Sequence, residues 1–167
     1  MYILNYKGRS PVSQLIKLVT WGSFSHTAIC DIHGCTIEAL EGKGLCISDT
    51  PWSKHKINTP VTVYTLPMVQ TVADCLWLNA RKRVGLKYDY RALTGFIPGL
   101  RWLWKDDITK WFCSHLVAQV CQEVNFNLFS PQTPLYKISP ALVDTSVILK
   151  QVGEVHNMLE FNQLIQK

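Results

Sequence analysis

The spacing of apolar side chains along this chain switches between two residues and three to four residues, and each switch predicts an element. MYILNY, residues 1–6, reads as an opening strand. Pro11 stands where a helix can begin, and Val12, Leu15, Ile16 and Val19 follow at helical spacing until Trp21-Gly22-Ser23 ends the run. HTAICDI, from His26 to Ile32, is a second strand; His33-Gly34 turns the chain, and CTIEAL, from Cys35 to Leu40, returns beside it. Shorter strands are predicted from Leu45 to Ile47 and from Val61 to Leu66. Helical spacing resumes from Thr71 to about Val84, with Val72, Leu76, Leu78 and Ala80 as packing candidates. CSHLVAQVCQEV, from Cys113 to Val124, is a helix with an apolar face of Leu116, Val117, Val120, Cys121 and Val124. Ser139 and Pro140 are suited to cap and open a short helix near the end. The glycine- and aromatic-rich stretch from 85 to 107 fits no regular period and reads as a packed excursion along one wall of a cleft.

Strands and helices mixed in this order define an α+β class, a small antiparallel sheet or half-barrel packed against helices. No internal repeat or low-complexity linker divides the chain, so residues 1–167 are expected to form a single domain, with the tail after about 150 loosely packed. Apolar residues make up 47% of the sequence and charged residues only 17%, which argues against long disorder. The net charge of +5 is concentrated between Arg81 and Lys110, where eight basic residues face three aspartates. No nucleic-acid module accompanies that charge, so no specific nucleic-acid partner is expected. Lys17 interrupts the first apolar run, no export signal is legible, and no stretch has the 18 or so apolar residues that cross a bilayer. The expected compartment is therefore the cytoplasm, and the six cysteines are read as small apolar side chains rather than disulfides.

Cys113 and His26 are the residues on which chemistry could centre. Cys113 opens a predicted helix, where unpaired backbone N–H groups and the positive helix end favour a thiolate and could hold an oxyanion. His26 begins a strand after a turn, so its ring can project from the mouth of a sheet and serve as a base. The plain alternative is a buried packing cysteine and a histidine that ends a strand.

The segments SFSHTAICDI, CTIEAL and, much later, WFCSHLVAQV together resemble the permuted branch of the NlpC-type papain-fold superfamily, the YaeF/YiiX-like proteins. The resemblance covers about Lys17 to Val124 and rests on the order of the pieces. It implies a circularly permuted papain-like fold with the histidine strand first and the cysteine helix later. It also implies a cysteine hydrolase of the peptidase or amidase class, acting through Cys113, His26 and Glu38 and a covalent acyl-enzyme. Amide- or ester-bearing substrates are implied, among them peptides, cell-wall fragments and lipids; a lipid or thioester acyl hydrolase or acyltransferase is the alternative activity. His115, two residues after Cys113, departs from the acidic residue usual in those relatives. The rival class is a catalytically silent interaction or structural protein that keeps the fold.

The third member depends on hairpin register. A two-residue turn at His33-Gly34 would set Glu41 opposite His26 and send Glu38 to the other face, whereas a three-residue loop or a bulge would return Glu38 to the face of His26. The resemblance favours Glu38, with Glu41 in reserve. Tyr88, Tyr90 and Ser114 are candidates for oxyanion or supporting contacts. Trp102 and Trp104, beside the basic segment, could line a lipid or aromatic subsite. A metal set of His26, Cys30, His33 and Cys35 is set aside, because residues 26 and 30 lie about 13 Å apart on a straight strand, too far for one zinc ion. No cofactor and no metal is expected.

Overall fold

A computed structural model describes residues 1–97, 99–100, 109–130, 132–134 and 137–166. The elements run β1 (Tyr2–Tyr6), α1 (Pro11–Thr20), β2 (His26–Cys30), β3 (Thr36–Leu40), β4 (Gly44–Ser48), β5 (Val61–Thr65), α2 (Gln70–Arg81), β6 (Lys87–Tyr88), α3 (Ala92–Phe96), β7 (Lys110–Trp111), α4 (Cys113–Glu123), α5 (Pro140–Asp144), β8 (Lys150–Val155) and α6 (Met158–Ile165). Six strands form one antiparallel sheet in the order β4-β3-β2-β1-β5-β8, and β6 and β7 pair separately in parallel. This is a mixed α+β fold with an antiparallel sheet packed against helices. Trp102 and Trp104 lie outside the described residues.

The strand period of two divides the buried side chains between the two faces of the sheet. Ile3, Ile29, Ile37, Ala39 and Tyr64 join one cluster with Leu76 of α2 and Cys113, Leu116, Val117 and Val120 of α4. Leu4, Tyr6, Ala28, Cys30, Val61, Val63 and Val155 join a second cluster with Phe161 of α6. Both faces are therefore covered, which is why the strands read as nearly continuous apolar runs. The predicted caps form as well. Ser10 and Ser139 accept hydrogen bonds from Ser13 N at 3.1 Å and Leu142 N at 3.1 Å, each with proline next in the chain. Trp21 ends α1 in the left-handed region at φ 53°, a place usually given to glycine.

The hairpin between β2 and β3 decides which face Glu38 takes. Ile29 pairs with Ile37 and Cys30 with Thr36, and the Asp31 N–H donates to the Cys35 carbonyl at 2.9 Å, leaving Ile32, His33 and Gly34 as a three-residue loop. The Asp31 carboxylate also accepts the N–H groups of His33 at 2.9 Å and Cys35 at 2.8 Å, an Asx arrangement that holds the turn. Gly34 supplies the left-handed residue at φ 87° that such a loop uses. In this register Glu38 lies diagonal to His26 on the same face.

The segment after residue 150 is more firmly attached than the sequence suggested. β8 pairs with β5 along its length, Asn157 caps α6 by accepting the Glu160 N–H at 3.0 Å, and Phe161 is fully buried with its ring edge-on to Tyr2 at 6.1 Å. Among the described residues, no helix is long and apolar enough to cross a membrane. All six cysteines are free thiols. We expect Phe161→Ala to lower the unfolding free energy by about 3–5 kcal/mol, read from urea denaturation; a change within experimental error would mean that α6 adds nothing to the core.

Candidate metal centre

Glu38 is a carboxylate with no exposed surface at the centre of β3, between β2 and β4. One of its oxygens, Oε2, accepts from His26 Nε2 at 2.9 Å and from His55 Nε2 at 2.8 Å. The other, Oε1, accepts the Ser48 hydroxyl at 2.9 Å and the Thr36 hydroxyl at 3.4 Å. Both oxygens are thus doubly engaged, as a buried charge requires. Burial alone would push the Glu38 carboxyl up, but the hydrogen bonds and charges of the two imidazoles outweigh it and hold the group well below the usual carboxylate range. Burial moves His26 the other way, below its ordinary 6.5, because the effect of desolvation exceeds that of the Glu38 contact. The consistent state is an ionised Glu38 that accepts from both imidazoles.

His55 comes from the connection between β4 and β5, which is held by its own hydrogen bonds. The Trp52 indole donates to the Thr59 carbonyl at 3.0 Å, the His55 N–H to the Trp52 carbonyl at 3.2 Å, and the Thr50 N–H to Ser53 Oγ at 3.0 Å. Tyr6 of β1 sits against both rings, stacked on His55 at 4.1 Å and tilted on His26 at 5.2 Å. Its hydroxyl is buried without a hydrogen-bond partner among the described residues. His26, His55 and Tyr6 line a cavity of about 230 Å³ with Ser13, Ser25 and Glu41, among others.

The donor atoms of His26, Glu38 and His55 all lie within 4.8 Å of one another. Two imidazole nitrogens and one carboxylate oxygen are a donor set suited to a transition-metal dication, with Ser48 orienting the carboxylate from behind. The orphaned Tyr6 hydroxyl beside the two rings is a further polar atom that a bound group could engage.

The expected cysteine triad is not what this arrangement provides. His26 shares its face with Tyr6, Ala28 and Cys30, whereas Cys113 belongs to the cluster on the opposite, α4 side of the sheet. Among the described residues no hydrogen bond joins Cys113 to His26, whose Nε2 is engaged by Glu38. Cys113 is fully buried, and burial pushes its thiol up to about 12, although the backbone N–H groups of Thr27, Ser114 and Cys113 itself pull the other way. The buried His26–Glu38–His55 cluster overturns the cysteine hydrolase, peptidase and amidase reading, together with its acyltransferase alternative.

The other candidates fall in different places. Ser114 is buried and donates to the Ile138 carbonyl at 2.5 Å. Tyr88 is buried against Phe112 with ring centroids 5.8 Å apart, and burial raises its pKa. Tyr90 is half exposed and its hydroxyl accepts the Gly42 N–H at 2.9 Å. Glu41 is exposed on the cavity wall. Of the metal set considered from sequence, only His26 takes part: Cys30 faces the Asp31 carbonyl and His33 is exposed in the hairpin loop. His55 escapes sequence reasoning because a loop histidine carries no periodic signal; Trp52, an aromatic in a polar stretch, is the one mark of an anchored loop.

The chain shares its fold with a solved protein of the YiiX type, the branch that the sequence resembles. It superposes on the crystal structure of the metalloprotein YiiX from Escherichia coli O157:H7 (DUF1105) with a TM-score of 0.69 and 18% identity, over 93% of this chain and 97% of that one. That likeness is one of fold. No protein-family profile and no curated protein matches the sequence.

The two shifted groups set an acid dependence for the protein freed of metal by a chelator. Because His26 has a lowered folded pKa, the unfolded chain takes up a proton near pH 6.5 that the fold refuses, and stability falls as the pH drops below that value. Glu38 has a depressed folded pKa, so its contribution is complete above about pH 4.5 and is lost as the pH falls toward the folded value. Urea midpoints are expected to hold level between about pH 7 and 8, decline from pH 6.5 and decline further below 4.5. His26→Gln should flatten the first decline; a midpoint that rises on acidification through this window would contradict the assignment.

Proposed function

We propose that this protein binds a divalent transition-metal ion through His26, Glu38 and His55, with zinc the first candidate. The observation that carries the reading is the convergence of two imidazole Nε2 atoms on one oxygen of a buried carboxylate. The word metalloprotein applied to YiiX, whose fold this chain shares, adds support. It replaces the expectation that the chain holds no metal.

Each residue has a defined part. Glu38 supplies the negative charge, kept ionised by its surroundings. Ser48 and Thr36 hold its second oxygen and so fix the carboxylate plane. His26 is set by β2 and His55 by the Trp52-anchored loop, with the Tyr6 ring limiting rotation of both imidazoles. To present an Nε2 lone pair to a cation, each imidazole would carry its ring proton on Nδ1 instead of Nε2. His26, Glu38 and His55 would hold such an ion, which would supply Lewis acidity or lower the pKa of a bound water there. The 230 Å³ cavity lined by both histidines gives a small molecule room to reach that ion.

Metal analysis and zinc calorimetry on dialysed protein test the proposal. One equivalent of saturable zinc is expected, with affinity reduced at least about a hundredfold in Glu38→Gln and in His55→Ala and about tenfold in Ser48→Ala. A folded parent protein that takes up no stoichiometric zinc, iron(II), manganese or copper would overturn it.

A further inference from the structure

A second cavity, of about 410 Å³, lies on the β4 side of the molecule between the turn after β3 and the segment from Gly85 to Arg91. Its walls are brought together by backbone contact. The Leu45 N–H donates to the Leu86 carbonyl at 2.8 Å and the Gly85 N–H to the Leu45 carbonyl at 2.8 Å, so the later segment runs along β4. Gly44 permits the approach: it sits at φ 76°, and a Cβ there would lie 2.2 Å from the Leu86 oxygen. Of the basic residues concentrated between positions 81 and 110, Lys87, Arg91 and Lys110 line this cavity, and Lys43 joins them from the other wall. Among the described residues Asp89 is the one carboxylate in the lining, and it is buried and accepts the Arg91 N–H at 2.9 Å. Among the described residues Lys43, Lys87 and Arg91 form no ion pair.

Lys43, Lys87 and Arg91, without an ion pair among the described residues, make this a concave positive site, where facing low-dielectric walls concentrate the field. The rest of the described wall is apolar or aromatic, with Leu86, Tyr88 and Tyr90 in the lining. The Tyr90 hydroxyl accepts the Gly42 N–H at 2.9 Å and so has its own proton to donate. We propose that this cavity binds a phosphate monoester whose organic part is apolar or aromatic. The dianionic phosphate meets Arg91, Lys87 and Lys43, and the organic part lies on Leu86 and the tyrosines. Lys43 and Tyr88 also line the cavity at the histidines, so the two spaces share a wall. A ligand seated in the basic cavity therefore extends toward His26 and His55; that extension, unlike the anion binding, rests on the metal reading.

The test uses full-length protein treated with chelator, so that metal cannot contribute to anion binding. Phenyl phosphate is titrated by calorimetry against the parent, Arg91→Gln, Lys87→Gln and, as a control of equal charge change outside the cavity, Lys150→Gln. Saturable binding to the parent is expected, weakened about tenfold by each cavity substitution and unchanged in the control. The substituted side chains are exposed, so thermal midpoints should match the parent and exclude misfolding as the cause. A parallel arm measures co-sedimentation with phosphatidylcholine vesicles carrying phosphatidate. Binding of phenyl phosphate alone identifies a soluble ligand and binding of phosphatidate alone a lipid headgroup, and either supports the shared chemistry. No saturable binding in either arm, or equal weakening by Lys150→Gln, overturns the proposal. Zinc stoichiometry measured separately on the same preparations keeps the two readings apart: loss of anion binding with one zinc retained refutes only the basic cavity, and anion binding without zinc refutes only the metal centre.

Discussion

A carboxylate with no contact with solvent can stay ionised only where donors surround it, and Glu38 organises this end of the sheet on that condition. Its four donors come from different parts of the chain: His26 on β2, Thr36 on β3 itself, Ser48 on β4 and His55 in the following loop. His26 does not reach Glu38 unless the β2–β3 register is right. That register is set by a loop of three residues, held by the Asp31 side chain and turned at Gly34. A slip by one position would turn Glu38 toward Ile37's side of the sheet, among the apolar residues of α4, with no partner for its charge. The penalty for that arrangement makes the buried cluster a constraint on pairing as much as a candidate site.

Much of the architecture was legible in the sequence because local signals and burial agreed. The strands around Leu4, Ile29, Ile37 and Val63 and the α4 helix stand within a residue or two of where periodicity put them. Both proline-led helix starts were readable from Ser10-Pro11 and Ser139-Pro140. β8 was not, since KQVGEV has no alternation and only its last residue is buried; its pairing with β5 is a long-range choice with no local mark. α2 shows a smaller failure, where Leu78 has the composition of a core residue and stands half exposed.

Half of the candidate site was legible, and the half that was not changes its chemistry. His26 and Glu38 are readable as a pair, and a hairpin loop longer than two residues, the condition for their meeting, is present between β2 and β3. Joining that pair to Cys113 is the step the structure refuses. A strand offers its neighbours two faces, and adjacent residues Thr27 and His26 look in opposite directions: the Thr27 backbone meets the Cys113 sulfur while the His26 ring meets Glu38. Sequence order can place a strand beside a helix without saying which face a given side chain takes. Sharing a fold with YiiX at 18% identity does not decide that question either, so the donor set has to be argued from this chain's own register and contacts.

The strand order carries a consequence for how the molecule is made. β1, which precedes every other strand in chain order, is central, flanked by β2 and β5, while β8 lies at an edge. The three donor residues lie between positions 26 and 55, and the rings are backed by Tyr6 from β1. The centre's donors therefore all lie within the first five strands and the loop between the last two of them, while α2 and α4 cover the opposite face. During vectorial synthesis its components emerge before α2, α4 or β8 exist, so a cation captured there would tie the amino-terminal sheet together while the remainder of the chain is still arriving.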